Sequence, residues 1–113
     1  MGALRNLSLL WTWMGIHLME LGYIEEAGEY YQKSLKAFEV IYQQIGTTEA
    51  LIDVIRTSDL VGDNRHARGN YGEARAHHLK ALELCERYAK IVPSAEEITT
   101  RLRNKIIHSD TEE

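Results

Sequence analysis

Five histidines and a single cysteine are the side chains in this chain best suited to ligating a metal, moving a proton or attacking an electrophile. Two of them, His77 and His78, adjoin in the stretch NYGEARAHHLKALEL, and His66, Cys85 and His108 are the other soft or imidazole donors nearby in sequence. His78 and Cys85 are seven residues apart, which on a helix gives them one face but separates them by two turns. No HxxxH or CxxC pair accompanies them, so the spacing does not make a zinc site, and no metal or cofactor is expected. G-x-S-x-G, HExxH and a glycine-rich phosphate loop are all missing from the sequence. The adjacent carboxylates Glu25 and Glu26, and Glu96 and Glu97, fall at expected helix starts, where they favour the dipole and point away from one another. No residue is therefore assigned a catalytic role. A small helical enzyme or metal binder using His66, His77 and His78 is the alternative reading.

Charge narrows the partners. Lys and Arg number 13 against 17 Asp and Glu, a net charge of −4 without a basic cluster to track a phosphate backbone, so neither nucleic acid nor a nucleic-acid-associated regulator is the first expectation. Tyr23, Tyr30, Tyr31 and Tyr42 are read as core and rim packing rather than as a platform for bases. One cysteine allows no internal disulfide, which fits a reducing cytoplasm. The apolar run LSLLWTWMGIHLMEL includes His17 and Glu20, is too short to cross a bilayer and lacks the flanks of a signal peptide, so no membrane association is expected.

The elements that position these residues follow from an internal repeat. At a constant offset of 47, Gly15 falls on Gly62, Gly22 on Gly69, Glu26 on Glu73, Ala27 on Ala74, Lys33 on Lys80, Leu35 on Leu82 and Glu39 on Glu86. A fixed period in this range marks stacked units that cannot bury their apolar faces alone. Helix punctuation predicts helices over about residues 4–21, 24–45, 48–69, 71–91 and 95–108, with Gly22 and Gly46 as stops, a Thr cap before the third helix, and Pro93 and Ser94 before the fifth. Leu51 lands on Ile98 and Ile55 on Leu102, making the fifth helix the start of a third, partial unit.

The stretches MGIHLMELGYIEEAGEYYQKSL and VGDNRHARGNYGEARAHHLKAL resemble the tetratricopeptide repeat. Trp11, the Met14–Gly15 pair, Leu18, Ala27 and Tyr31 match its signature positions, and Val61, Gly62, Ala74 and His78 match them in the second unit. His78 thus stands where the repeat places a packing aromatic. The family period is about 34 residues, so a period of 47 implies a long-helix, bacterial-type variant. Glu39 and Glu86 replace its helix-ending proline, Ser58 replaces Trp11, and the polar end GDNRHARG is expected to weaken stacking of the second unit. The implied fold is all-α: antiparallel helix-turn-helix repeats stacked as a short right-handed α-solenoid of about five helices. It is one domain, with units at residues 3–46 and 47–93, a partial third at 94–108 and a frayed tail at 109–113.

The resemblance implies a non-catalytic scaffold whose concave groove binds a protein or peptide. Its lining would be Leu9, Thr12, Ile16, Met19 and Glu20 in the first unit, Arg56, Asp59, Asp63, His66 and Ala67 in the second, and Arg103 and Ile106 in the third. The ligand expected there is an amphipathic or partly basic peptide, apolar on Ile16 and Met19 and basic on Asp59 and Asp63. The Lys and Asn set by which some family members clamp a terminal carboxylate is not matched. The first helix is apolar around most of its circumference, so a homodimer through Leu7, Leu10, Trp11 and Trp13 is expected, the alternatives being a longer array or a hetero-partner on the same surface.

Overall fold

The computed structural model describes the backbone of residues 2–112 and the side chains of residues 2–108. Five helices form in chain order: α1 Gly2–Leu21, α2 Ile24–Ile45, α3 Thr48–Ala67, α4 Tyr71–Arg87 and α5 Ala95–Glu112, with no strand among the described residues. Each helix packs on its neighbour in sequence, α1 on α2, α2 on α3, α3 on α4 and α4 on α5, in a helical-repeat arrangement.

Repetition reaches the hydrogen bonds. Gly22 closes α1 at φ 89°, its N–H donating to the Met19 carbonyl at 3.1 Å while the Tyr23 N–H donates to Leu18 at 2.9 Å. Forty-seven residues on, Gly69 closes α3 at φ 83°, donating to His66 at 3.0 Å, and the Asn70 N–H donates to Arg65 at 2.8 Å. Both turns have the Schellman bond pattern, and their positive φ favours glycine. Between the units, Gly46 closes α2 and the Thr47 hydroxyl accepts the Ala50 N–H at 3.2 Å, the expected cap.

Helix boundaries differ from expectation at the end of the second unit and in α5. α4 ends at Arg87 rather than near Ile91, and the chain continues in loose turns that bring Val92 into the core beside Leu51, Ile55 and Leu102. Pro93 cannot donate and disfavours a helical residue before it, which is compatible with that break. α5 runs beyond His108 to Glu112, into the segment expected to fray; the side chains of 109–113 lie outside the described residues.

Two apolar clusters hold the stack. One joins Tyr31, Leu35, Phe38 and Ile41 of α2 to Ala50, Val54 and Val61 of α3; the other joins Leu51 and Ile55 of α3, Leu82 and Cys85 of α4, and Leu102 and Ile106 of α5. Cys85 takes the place of Phe38 in the repeat, is fully buried, and has its thiol pushed up in pKa by that burial. It is a packing residue rather than a nucleophile. The polar end of α3 packs after all. Asn64 is fully buried, donates to the Ile24 carbonyl at 2.8 Å and accepts from Arg65 at 2.7 Å, in space that Gly28 leaves open. Polar groups so satisfied cost little when buried, which is why this end does not weaken the stack.

Candidate functional site

His78 reaches its position through a gap that only glycine leaves. A Cβ on Gly62 would lie 2.4 Å from His78 Nε2, as a Cβ on Gly15 would lie 2.6 Å from the Tyr31 ring. The two joints are the same by position, since Gly15 and Gly62, and Tyr31 and His78, are 47 residues apart. On the α1–α2 side, Thr12 and Ser34 share a hydroxyl hydrogen bond and Ser34 donates to the Ser8 carbonyl at 2.9 Å, while burial and then the Asp63 and Glu20 carboxylates push the Tyr31 pKa up to about 12. Around His78 the neighbours form ion pairs. Asp59 and Asp63, one α3 turn apart, approach Nε2 at 3.4 and 3.1 Å, and Lys105 of α5 donates to Asp59 at 2.7 Å and Asp63 at 3.1 Å. Arg101 adds a contact to Asp59 at 3.4 Å.

Burial works against a charged imidazole, but hydrogen bonds and attraction from Asp59 and Asp63 overcome it and raise the His78 pKa from 6.5 to about 9. Burial likewise opposes the Asp59 carboxylate, yet His78 and Lys105 hold its pKa below the usual value. The other ring nitrogen of His78, Nδ1, is buried with no hydrogen-bond partner among the described residues. The adjacent His77 moves the other way: its burial, then Arg65 and Lys80, lower its pKa. The two neighbours are therefore a cationic strut and a neutral ring at neutral pH.

Asp59, Asp63 and His78 bring three possible ligand atoms within 4.8 Å of one another. The Lys105 ammonium lies against the oxygens that such an ion would use, and with His78 protonated the two carboxylates already face His78, Lys105 and Arg101 as cations. A metal would have to displace both a proton and an ammonium, so the set fits a metal poorly.

The cluster borders a cleft of about 1150 Å³ between α3 and α5. Asp63, His66, Ala67 and His78 form one wall; Glu97, Thr100, Arg101, Asn104, Lys105 and His108 form the other, with Ser94 and Glu96 at the end nearest the start of α5. His66 stacks edge-on against Tyr71 at 5.0 Å.

Of the residues expected to line a groove, only Asp63, His66 and Ala67 lie on this cleft. Arg56 and Asp59 border a separate recess of about 70 Å³ with Val92 and Arg101. Asp59 is buried and neutralised within the chain, so the expectation that it receives a basic ligand segment is corrected, whereas Asp63 is partly exposed on the cleft. Thr12 and Ile106 are buried, and Leu9 and Met19 pack against the core, with the Asn64 amide 3.3 Å from the Met19 sulfur. Ile16 and Glu20 are exposed but away from the cleft, and Arg103 pairs with Glu86 of α4. Trp11 is half-buried with the Lys33 ammonium of α2 6.0 Å from its ring, so it does not belong to the exposed face that carries Leu7, Leu10 and Trp13.

The α5 wall was missed because its register was taken from the repeat, whereas the helix turns Leu102 and Ile106 to the core and Arg101 and Lys105 to the cleft. The carboxylates beside His78 had left a signal: where the offset turns Tyr31 into His78, it also turns Thr12 into Asp59 and Ile16 into Asp63.

Among the described residues no helix is long and apolar enough to cross a membrane. No family model, curated protein or solved structure matches the chain.

Proposed function

We propose that this chain is a non-catalytic, tetratricopeptide-like scaffold that binds a peptide or a protein segment in the cleft between α3 and α5, in the cytoplasm. The cleft carries the reading. It is an open cleft of about 1150 Å³, and its walls belong to helices that hold the same place in successive units. The charge along α5 suggests the ligand's polarity: Glu96 and Glu97 at one end suit a cationic residue, and Arg101 further along suits a carboxylate. Catalysis is disfavoured by the state of His78. His78 is only 1% exposed and its Nε2 is engaged by two aspartates, so it is poorly placed to take a substrate's proton.

Peptides selected from a displayed random library test this reading when their affinities are measured against the wild type, Asn104→Trp and Arg56→Glu. Asn104→Trp fills the cleft and should weaken binding at least about tenfold, the equivalent of about 1.4 kcal/mol. Arg56→Glu lies outside the cleft and should leave affinity unchanged. Selected peptides that bind Asn104→Trp as tightly as wild type would contradict the assignment.

A further inference from the structure

α1 carries a second surface, at the opposite end of the helix order from the cleft. Its buried side, at Ser8, Thr12 and Gly15, faces α2. Nearly opposite runs a stripe of Ala3, Leu7, Leu10, Met14, His17 and Leu21, all exposed, with Leu10 54% and Leu21 58% accessible. The spacing alternates four and three residues, the seam of a two-helix coil, and the stripe contains no carboxylate, lysine or arginine. Trp13, 72% accessible, flanks it.

The repeat says what such a face is for. Adding 47 to the first five positions gives Ala50, Val54, Thr57, Val61 and Asn64 of α3, each no more than 2% exposed. Ala50, Val54 and Val61 join the cluster containing Leu35, Phe38 and Ile41 of α2, and Asn64 donates to the Ile24 carbonyl of α2. The α1 stripe is therefore the positional equivalent of a face that this fold buries against a neighbouring helix bearing large apolar residues. α1 itself offers such residues, and the positions of its stripe are spaced symmetrically about Thr12. A two-fold antiparallel pairing would set Leu10 against Met14, Leu7 against His17 and Ala3 against Leu21 of a second copy.

We infer that the Leu7–Leu10–Met14–Leu21 stripe of α1 docks on the same stripe of a second copy of this chain, as an antiparallel helix pair that leaves the cleft between α3 and α5 open in both copies. This assignment does not rest on what the cleft binds. Contact between identical faces closes on itself and gives a dimer rather than a filament.

Light scattering during size exclusion tests it on the wild type and on Leu10→Glu. The expected wild-type mass is twice the chain's 13.0 kDa, falling to 13.0 kDa in Leu10→Glu with the helical circular dichroism unchanged, because Leu10 touches solvent in the single chain. Direction is read by mixing Leu10→Cys and Met14→Cys chains. A disulfide that forms in the mixture and not within either variant alone supports antiparallel pairing. A monomeric wild type, a dimer indifferent to Leu10→Glu, or efficient cross-linking of Leu10→Cys alone would each overturn the inference.

Discussion

Gly15 with Tyr31, and Gly62 with His78, are one helix joint built twice with different chemistry. In both, a glycine on the first helix lets a planar side chain from the second lie against its backbone, and in both the turn between those helices has the same two closing hydrogen bonds. The first joint is completed by the hydroxyls of Thr12 and Ser34; the second by Asp59, Asp63 and a lysine from α5. A shared backbone frame thus leaves the character of the joint to a few side chains. In the second joint Lys105 brings α5 onto the carboxylates that hold the α4 imidazole.

The largest expected difference between the joints lies in removing the central partner. Asp59→Ala leaves the His78 and Lys105 charges without their most buried counter-ion and should cost about 4 kcal/mol in denaturant unfolding. Its counterpart Thr12→Val removes two neutral hydrogen bonds, to the Ser8 carbonyl and with the Ser34 hydroxyl, and should cost about 2 kcal/mol. Equal losses would erase the distinction. Next comes pH. Because the folded His78 pKa is raised from 6.5 to about 9, its contribution to stability is complete below about pH 6.5 and is lost as pH rises through about 9, a fall of about 3 kcal/mol. Asp59, held below its ordinary range, contributes in the opposite sense and is lost only in acid. Unfolding midpoints measured between pH 6 and 10 should show the alkaline fall in the wild type and a much smaller one in His78→Tyr. A smaller effect probes what the joints share: Gly15→Ala and Gly62→Ala each crowd a buried ring and should cost about 2 kcal/mol. Gly72→Ala, with open space around its added carbon, should be close to neutral. A marked inequality between Gly15→Ala and Gly62→Ala would show that the frames are not equivalent.

The frame was legible in the sequence because it is local. A glycine that must take positive φ, a threonine cap and an apolar residue every three or four positions leave marks within a few residues, and the offset of 47 copies them. Helix rotation was not legible. Nothing near Trp11 tells that its ring lies toward Lys33 rather than solvent, nor that Met19 packs under Asn64, because both depend on how closely α1 and α3 approach α2. The His78 cluster was half legible. Its aspartates were recoverable from the paired changes at the offset, whereas Lys105 is 42 residues from Asp63 and reaches it only through the packing of α5. The reading of His78 as a packing ring holds for its shape and misses its charge.

The contrast between the joints rests most directly on the protonation state of His78. Its imidazole can be followed by NMR as pH is raised, in the wild type and in Asp59→Asn. The account predicts a midpoint of about 9 in the wild type, distinct from an ordinary imidazole near 6.5, falling by at least about one unit in Asp59→Asn. A wild-type midpoint near 6.5, or one that Asp59→Asn leaves in place, would mean that the second joint differs from the first in shape alone.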